Sequence, residues 1–229
     1  MDELTGSHVS PSTYDRVLER DGECCWLCTN EPHNIMADVH VAQLIDTTSN
    51  QWFTQCQQNG TIPTSVTNVD HQDNLVPLCP SCHSSFDDAG FPGMDFRPWH
   101  KKQIQKYIDH EKSDYEQRLL LSNPNSPVPR SLPTIDRSTV LYHPLILTHH
   151  HSHLIQAPRS LQWPKPWLGE PTLAIHRAAS RGILDSNPIR PFLLPGGGRK
   201  WQTGVPKVFQ TLITKLTSLW AKQPPKWKW

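Results

Sequence analysis

Two cysteine pairs of equal spacing, Cys25-Trp26-Leu27-Cys28 and Cys79-Pro80-Ser81-Cys82, are the residues whose type and position define the chemistry of this chain most sharply. A C-x-x-C knuckle presents two thiolates from neighbouring turns, and tetrahedral Zn(II) accepts two such knuckles. Cys25, Cys28, Cys79 and Cys82 are thus expected to bind one structural zinc ion; thiol redox chemistry is the other use of such pairs. Cys24 adjoins Cys25 and is an alternative ligand, while Cys56 reads as a small, partly buried side chain. The 50 residues between the pairs (29–78) exceed the usual gap, so further chemistry is expected in that insert. Directly after the second pair, His83 and Asp87 stand four residues apart. On a helix both project from one face and could hold one metal ion between them.

The elements that must position these groups can be read from local patterns. Leu75-Val76-Pro77-Leu78 predicts a short strand, and Pro80 sits where the first turn of a following helix tolerates proline. Residues 35–45, IMADVHVAQLI, predict a second strand with His40 between Val39 and Val41. Ser10-Pro11 opens a helix that Asp21-Gly22 closes. Residues 46–73, rich in Thr, Asn and Gln, read as a long loop or hairpin insertion, and Gly90-Phe91-Pro92-Gly93 must end the helix begun at Cys79. Ile104, Tyr107, Ile108, Tyr115 and Leu119 share one face of an amphipathic helix over Arg97–Leu121.

Taken in order, the knuckle, the strand bearing His40, Asn74 before the next strand, the second knuckle and His83 on its helix resemble the HNH endonuclease family, particularly its fungal versions. The run NLVPLCPSCHSSFDD carries most of the likeness, which covers roughly residues 14–120. The resemblance implies an α+β fold: a small zinc-stabilised ββα-metal domain with flanking helices, followed by a largely irregular proline-rich tail. It also implies catalytic roles for His40 as general base, Asn74 as the residue that holds loop and strand pair in place, and His83 as a ligand of a catalytic divalent ion such as Mg(II). Asp87 would be a second ligand of that ion. Members with strong activity usually carry Asp, Glu or His directly before the first histidine, where this chain has Val39.

Composition divides the chain. Of its 22 prolines, 15 lie in residues 122–229, whereas all six cysteines lie in the first 82 residues. Residues 131–229 carry 13 Lys and Arg against 3 Asp and Glu, and the residues before them carry 9 against 18. This predicts a flexible segment at 1–10, a self-contained zinc domain at 11–121 and a basic, mostly disordered tail at 122–229, with an amphipathic helix at 207–221. The histidine tract at 149–153 reads as a solvated loop, with adventitious metal binding as its second use, and Lys226-Trp227-Lys228-Trp229 interleaves charge with rings that could stack on single-stranded bases, or is simply a solvated terminus. No apolar run reaches the length of a membrane span, and MDELTGSHVSPSTYDR lacks the features of a signal peptide, so an intracellular protein is expected, nuclear or otherwise. The functions that follow are a metal-dependent nuclease acting on DNA, or an HNH-fold zinc module without turnover that binds nucleic acid, or a protein partner through its tail. A membrane-surface role for the 208–220 helix is a third.

Overall fold

Residues 9–27, 39–87, 94–98, 100–121, 128–146, 164–180 and 207–222 are described by a computed structural model of the chain, and they form a mixed α+β fold. The first helix, α1 (Pro11–Asp21), begins where its cap predicts. The Ser10 hydroxyl accepts from the Thr13 N–H, Pro11 occupies the first turn, and Gly22 leaves the helix at φ 93°, a backbone region that disfavours a side chain.

Strand β1 (His40–Gln43) pairs antiparallel with β2 (Leu75–Leu78), with His40 opposite Leu78 and Gln43 opposite Leu75. Two strands alone are marginal in water, so this pair depends on cover from both sides. Val17 of α1 packs on Val41 and Leu75 on one side, while Ala42, Val76 and Leu78 enter the main core on the other. Between the strands, the predicted loop contains helix α2 (Asn50–Gln58), whose Phe53 and Cys56 are buried. Two buried anchors, Phe53 and Cys56, with the partly buried Trp52 beside them, outweigh the weak helix propensity of Asn, Gln and Thr, because burial stabilises a helix more than propensity does. Helix α3 (Pro80–Asp87) follows β2 directly.

Past α3 the chain forms a three-stranded antiparallel sheet of β3 (Met94–Pro98), β4 (Leu141–Ile146) and β5 (Lys165–Pro166), in which β4 is central. Because β3 takes residues 94–98, the helix expected from Arg97 begins instead at Lys101, as α4 (Lys101–Leu121).

The largest departure from the composition lies in the second half. Its described segments, 128–146, 164–180 and 207–222, do not lie apart as a tail. Val140, Tyr142, Trp167, Leu173 and Ala174 share one core with Trp26, Ala42, Val76 and Phe86. Residues 164–170 run as a belt: the Trp26 indole donates to the Pro166 carbonyl (3.0 Å), the Trp167 indole to the Leu75 carbonyl (3.2 Å), and the Glu170 N–H to the Asp73 carbonyl (3.0 Å). A Cβ at Gly169 would fall inside the Trp167 indole, so the belt requires glycine there. Arg137 ties Asp73 (2.7 Å) to Glu170 (2.9 Å), whose carboxylate also accepts from the Thr172 N–H at the start of α5 (Pro171–Ser180). Proline restricts the length of regular elements but not their burial. Among the described residues, the buried core therefore draws on both sides of Leu121, up to Trp220.

Helix α6 (Lys207–Trp220) occupies the stretch marked by the apolar stripe, and Phe209, Ile213, Leu216 and Trp220 pack on Ile104, Tyr107 and Ile108 of α4. The face that would meet a membrane surface is thereby covered. No helix among the described residues is long and apolar enough to cross a membrane. Arg130 caps α6, donating to the Trp220 carbonyl at 3.0 Å, and its ion pair with Glu111 (3.0 Å) links this end to α4, where Arg118 also pairs with Glu111 and Asp114.

At the meeting of α2, α5 and α6, His176 lies between the rings of Trp52 (centroids 5.0 Å apart) and Trp220 (4.6 Å), with no hydrogen-bond partner for Nε2. Burial lowers its pKa to about 4, against a hydrogen bond to the Thr61 backbone that favours the charged ring. The unfolded chain, with an ordinary imidazole, binds the proton first as pH falls, so stability is complete above about pH 6.5 and is lost towards pH 4. The His176→Phe variant is expected to lack this component, which amounts to roughly 3 kcal/mol over that interval. Urea unfolding of both proteins at matched pH values checks it; parallel pH profiles would show that His176 contributes nothing.

Candidate metal centre and histidine pair

The turn from β2 into α3 brings the second knuckle into place. Cys79 precedes the helix, its carbonyl accepts from the His83 N–H at 2.8 Å, and Cys82 lies in the first turn. The first knuckle docks on the same strand through the Trp26 N–H, which donates to the Pro77 carbonyl at 2.7 Å. Cys25, Cys79 and Cys82 consequently place their sulfurs within 4.8 Å of one another, and this group could hold a metal ion. Three thiols this close suit a soft, tetrahedral ion with sulfur bonds of about 2.3 Å. Cys25, and not Cys24, is the residue brought to the second knuckle. Cys28 lies outside the described residues.

The same turn places His83 beside His40. His40 begins β1 opposite Leu78, the last residue of β2, so the start of one strand lies at the mouth of α3. The two Nδ1 atoms are 3.3 Å apart and the rings meet edge to face, at 83° with centroids 5.4 Å apart. His83 Nε2 is 2.8 Å from an Asp87 carboxylate oxygen, with the two side chains 25% and 47% exposed. These contacts suit one pair of tautomers. An ionised carboxylate only accepts, so a neutral His83 carries its proton on Nε2 and offers the Nδ1 lone pair. His40 then donates from Nδ1, and its Nε2 keeps a lone pair that can take a proton.

Asn74 is fully buried directly before β2. Its amide donates to the carbonyls of Ile45 (2.8 Å) and Val69 (2.6 Å), its side-chain oxygen accepts from the Ile45 N–H (3.1 Å), and its own carbonyl accepts from the Leu44 N–H (2.9 Å). One side chain thus joins the chain leaving β1 to the chain entering β2. Asn74→Ala leaves three buried backbone groups short of a partner, and a loss of roughly 3 kcal/mol or more is expected. The midpoint of urea unfolding reports it; a shift of a few tenths of a kcal/mol would remove Asn74 from this role. The neighbouring Asp70-His71 pair serves the loop instead: Asp70 accepts from the Gln43 amide (2.6 Å) and His71 Nδ1 from the Asp73 N–H (3.2 Å).

Val39, directly before His40, offers no ligand in its side chain, and its carbonyl accepts from the Tyr14 hydroxyl of α1 at 2.5 Å. Tyr14 is a contributor that sequence spacing does not reveal, since it lies 25 residues away from its acceptor. Asp38, Asp88, the histidine tract and Lys226–Trp229 lie outside the described residues.

No protein-family model matches the chain, and neither a curated protein nor a solved structure does.

Proposed function

We propose that this chain is a metal-dependent endonuclease of the HNH type that hydrolyses DNA phosphodiester bonds, with structural zinc on its cysteine knuckles. The observation that carries the reading is the His40–His83 contact of 3.3 Å at the open end of a strand–strand–helix unit whose turn also holds Cys79 and Cys82. Cys25, Cys79 and Cys82 would hold the zinc, with Cys28 as the fourth ligand. His83 and Asp87 would hold the catalytic ion, since their 2.8 Å separation is close to that of two neighbouring donors at about 2.1 Å from one centre. When bound there, a divalent ion such as Mg(II) supplies positive charge beside the scissile phosphate. With the ion on His83 Nε2 the His83 proton moves to Nδ1, so the Nδ1–Nδ1 contact of the metal-free pair opens, and His40 Nε2 takes the proton of the attacking water. Asn74 keeps β1 and β2 in register so that the base does not drift from the helix. The surplus of Lys and Arg after residue 130 supports an anionic substrate.

A second reading, an HNH-fold zinc module with little or no turnover that binds nucleic acid or protein, is favoured by Val39, whose side chain adds no donor at the position before the base. Supercoiled plasmid incubated with Mg(II), Mn(II) or Ni(II) separates the two. Nicking and linearisation are expected from the wild type and faster from Val39→Asp. His40→Ala should lose about 100-fold or more, the usual contribution of a general base, with its zinc retained. A wild type and a Val39→Asp variant inert with all three ions would leave the binding module; activity that survives His40→Ala would remove His40 as the base.

A further inference from the structure

We propose that Arg177, a residue of α5 in the proline-rich half of the chain, is a positioning residue that sets the spacing between His40 and His83. Arg177 is 1% exposed, and its guanidinium bridges the two elements that carry the pair. One amino group donates to the carbonyls of Gln43 (3.3 Å) and Leu44 (3.0 Å) at the exit of β1, and the other donates to the Phe86 carbonyl of α3 (2.6 Å). Gln43 lies three residues after His40 on the strand, and Phe86 lies three residues after His83, just under one turn of helix. The guanidinium carbon is 3.3 Å from the centroid of the Phe86 ring, which further fixes the plane of the fork. The partners on β1 and α3 are backbone carbonyls, so what Arg177 recognises is the separation of strand and helix rather than a particular side chain.

A cation near the last turn of a helix is stabilising by itself, and that alone would explain the bond to Phe86. It does not explain the two bonds to β1. A planar fork with donors on both sides can hold two elements at one distance, which the single ammonium of lysine cannot do. Arg177 is itself held from behind: Ile175 and Ala178 pack into the α4–α6 core, and Glu170 caps the start of α5. Besides the shared apolar core, Arg177 thereby gives the second half of the chain a hydrogen-bonded link to both elements that carry the histidine pair. The inference rests on the reading that His40 and His83 form the working site, but its principal test does not require turnover.

The full-length protein and its Arg177→Met and Arg177→Lys variants, labelled with nitrogen-15, are compared at a temperature where the wild type is folded, with zinc content and thermal midpoint measured in parallel. Long-range proton–nitrogen spectra of the histidine rings, assigned with His40→Ala and His83→Ala, report the tautomers. In the wild type, His40 is expected to be protonated on Nδ1 and His83 on Nε2. In a folded, zinc-loaded Arg177→Met protein both rings should shift to the averaged tautomer pattern of a solvated imidazole. If plasmid cleavage occurs, kcat should fall about 100-fold with KM within twofold, as expected when a base is displaced and binding is kept. Arg177→Lys, which keeps the charge without the fork, should show the same loss of the tautomer pair. Unchanged tautomers in either folded variant, whatever the loss of thermal stability, would overturn the proposal, and so would failure of both variants to fold, which would make Arg177 a residue of the core alone. A wild type that shows the tautomer pair and its loss but cleaves nothing would uphold the positioning role while rejecting the nuclease reading.

Discussion

A chain cut after Leu121 is expected not to fold. Composition argues otherwise, because the cysteines, the histidine pair and Asn74 all precede that point and the remainder is rich in proline. The core does not respect the boundary. Trp167 and Tyr142 are fully buried, with ring centroids 5.8 Å apart, and Trp26 meets Tyr142 at 6.4 Å. Removing Tyr142, Trp167 and Leu173 alone exposes partners whose burial stabilises by roughly 2 kcal/mol per side chain or more. That sum approaches or exceeds the 5–15 kcal/mol or so available to a typical domain. Asp73 also loses Arg137, and the carbonyls of Gln43, Leu44 and Phe86 lose Arg177. Circular dichroism, zinc stoichiometry and limited proteolysis of residues 1–121 check the expectation. A fragment that keeps its zinc and melts cooperatively near the full chain would refute it, and would restore a self-contained domain at 11–121.

If the clustered cysteines hold zinc as proposed, their loss should have a comparable effect by a different route. Cys79→Ser or Cys82→Ser removes one sulfur from a group whose sulfurs lie within 4.8 Å, and the incomplete set that remains makes a poor tetrahedral site. Structural zinc contributes on the order of 10 kcal/mol in small domains, so either variant should purify without zinc and without a cooperative melting transition. Cys56→Ser is the control. That thiol is buried beside Thr61, and burial pushes its pKa up, which holds it as the neutral thiol rather than the thiolate a metal needs. It should retain one equivalent of zinc. Cys24→Ser and Cys28→Ser, measured together, decide which residue completes the site: retention by the first and loss by the second identify Cys28. Full zinc in Cys79→Ser would dismiss the cluster as a metal centre.

Much of the candidate site was legible before any tertiary contact was known, since its groups lie close in sequence. The run from Leu75 to Asp87 encodes a strand, a tight turn with proline at the helix start, two cysteines one turn apart and a histidine–carboxylate pair at four-residue spacing. Each of these depends on geometry repeated within a few residues. The same locality accounts for α1 between Ser10 and Gly22 and for α6 along its apolar stripe. Helix α2 was hidden because its residue types favour loops, and only the core that receives Phe53 and Cys56 makes it a helix.

What the tertiary structure decided is how distant pieces hold that site. Tyr14 reaches Val39 across 25 residues, Trp167 reaches Leu75 across 92, and Arg177 reaches Leu44 across 133. Contacts of this range leave no period or spacing in the sequence, because each couples a side chain to a backbone carbonyl that every residue possesses. Proline content misled for a related reason. It limits hydrogen-bonded repeats, which are local, but says nothing about whether a tryptophan beside it finds a core to enter. The clustered cysteines and the histidine pair were therefore readable from side-chain identity, whereas their fixed separation required the fold that closes the second half of the chain over the first.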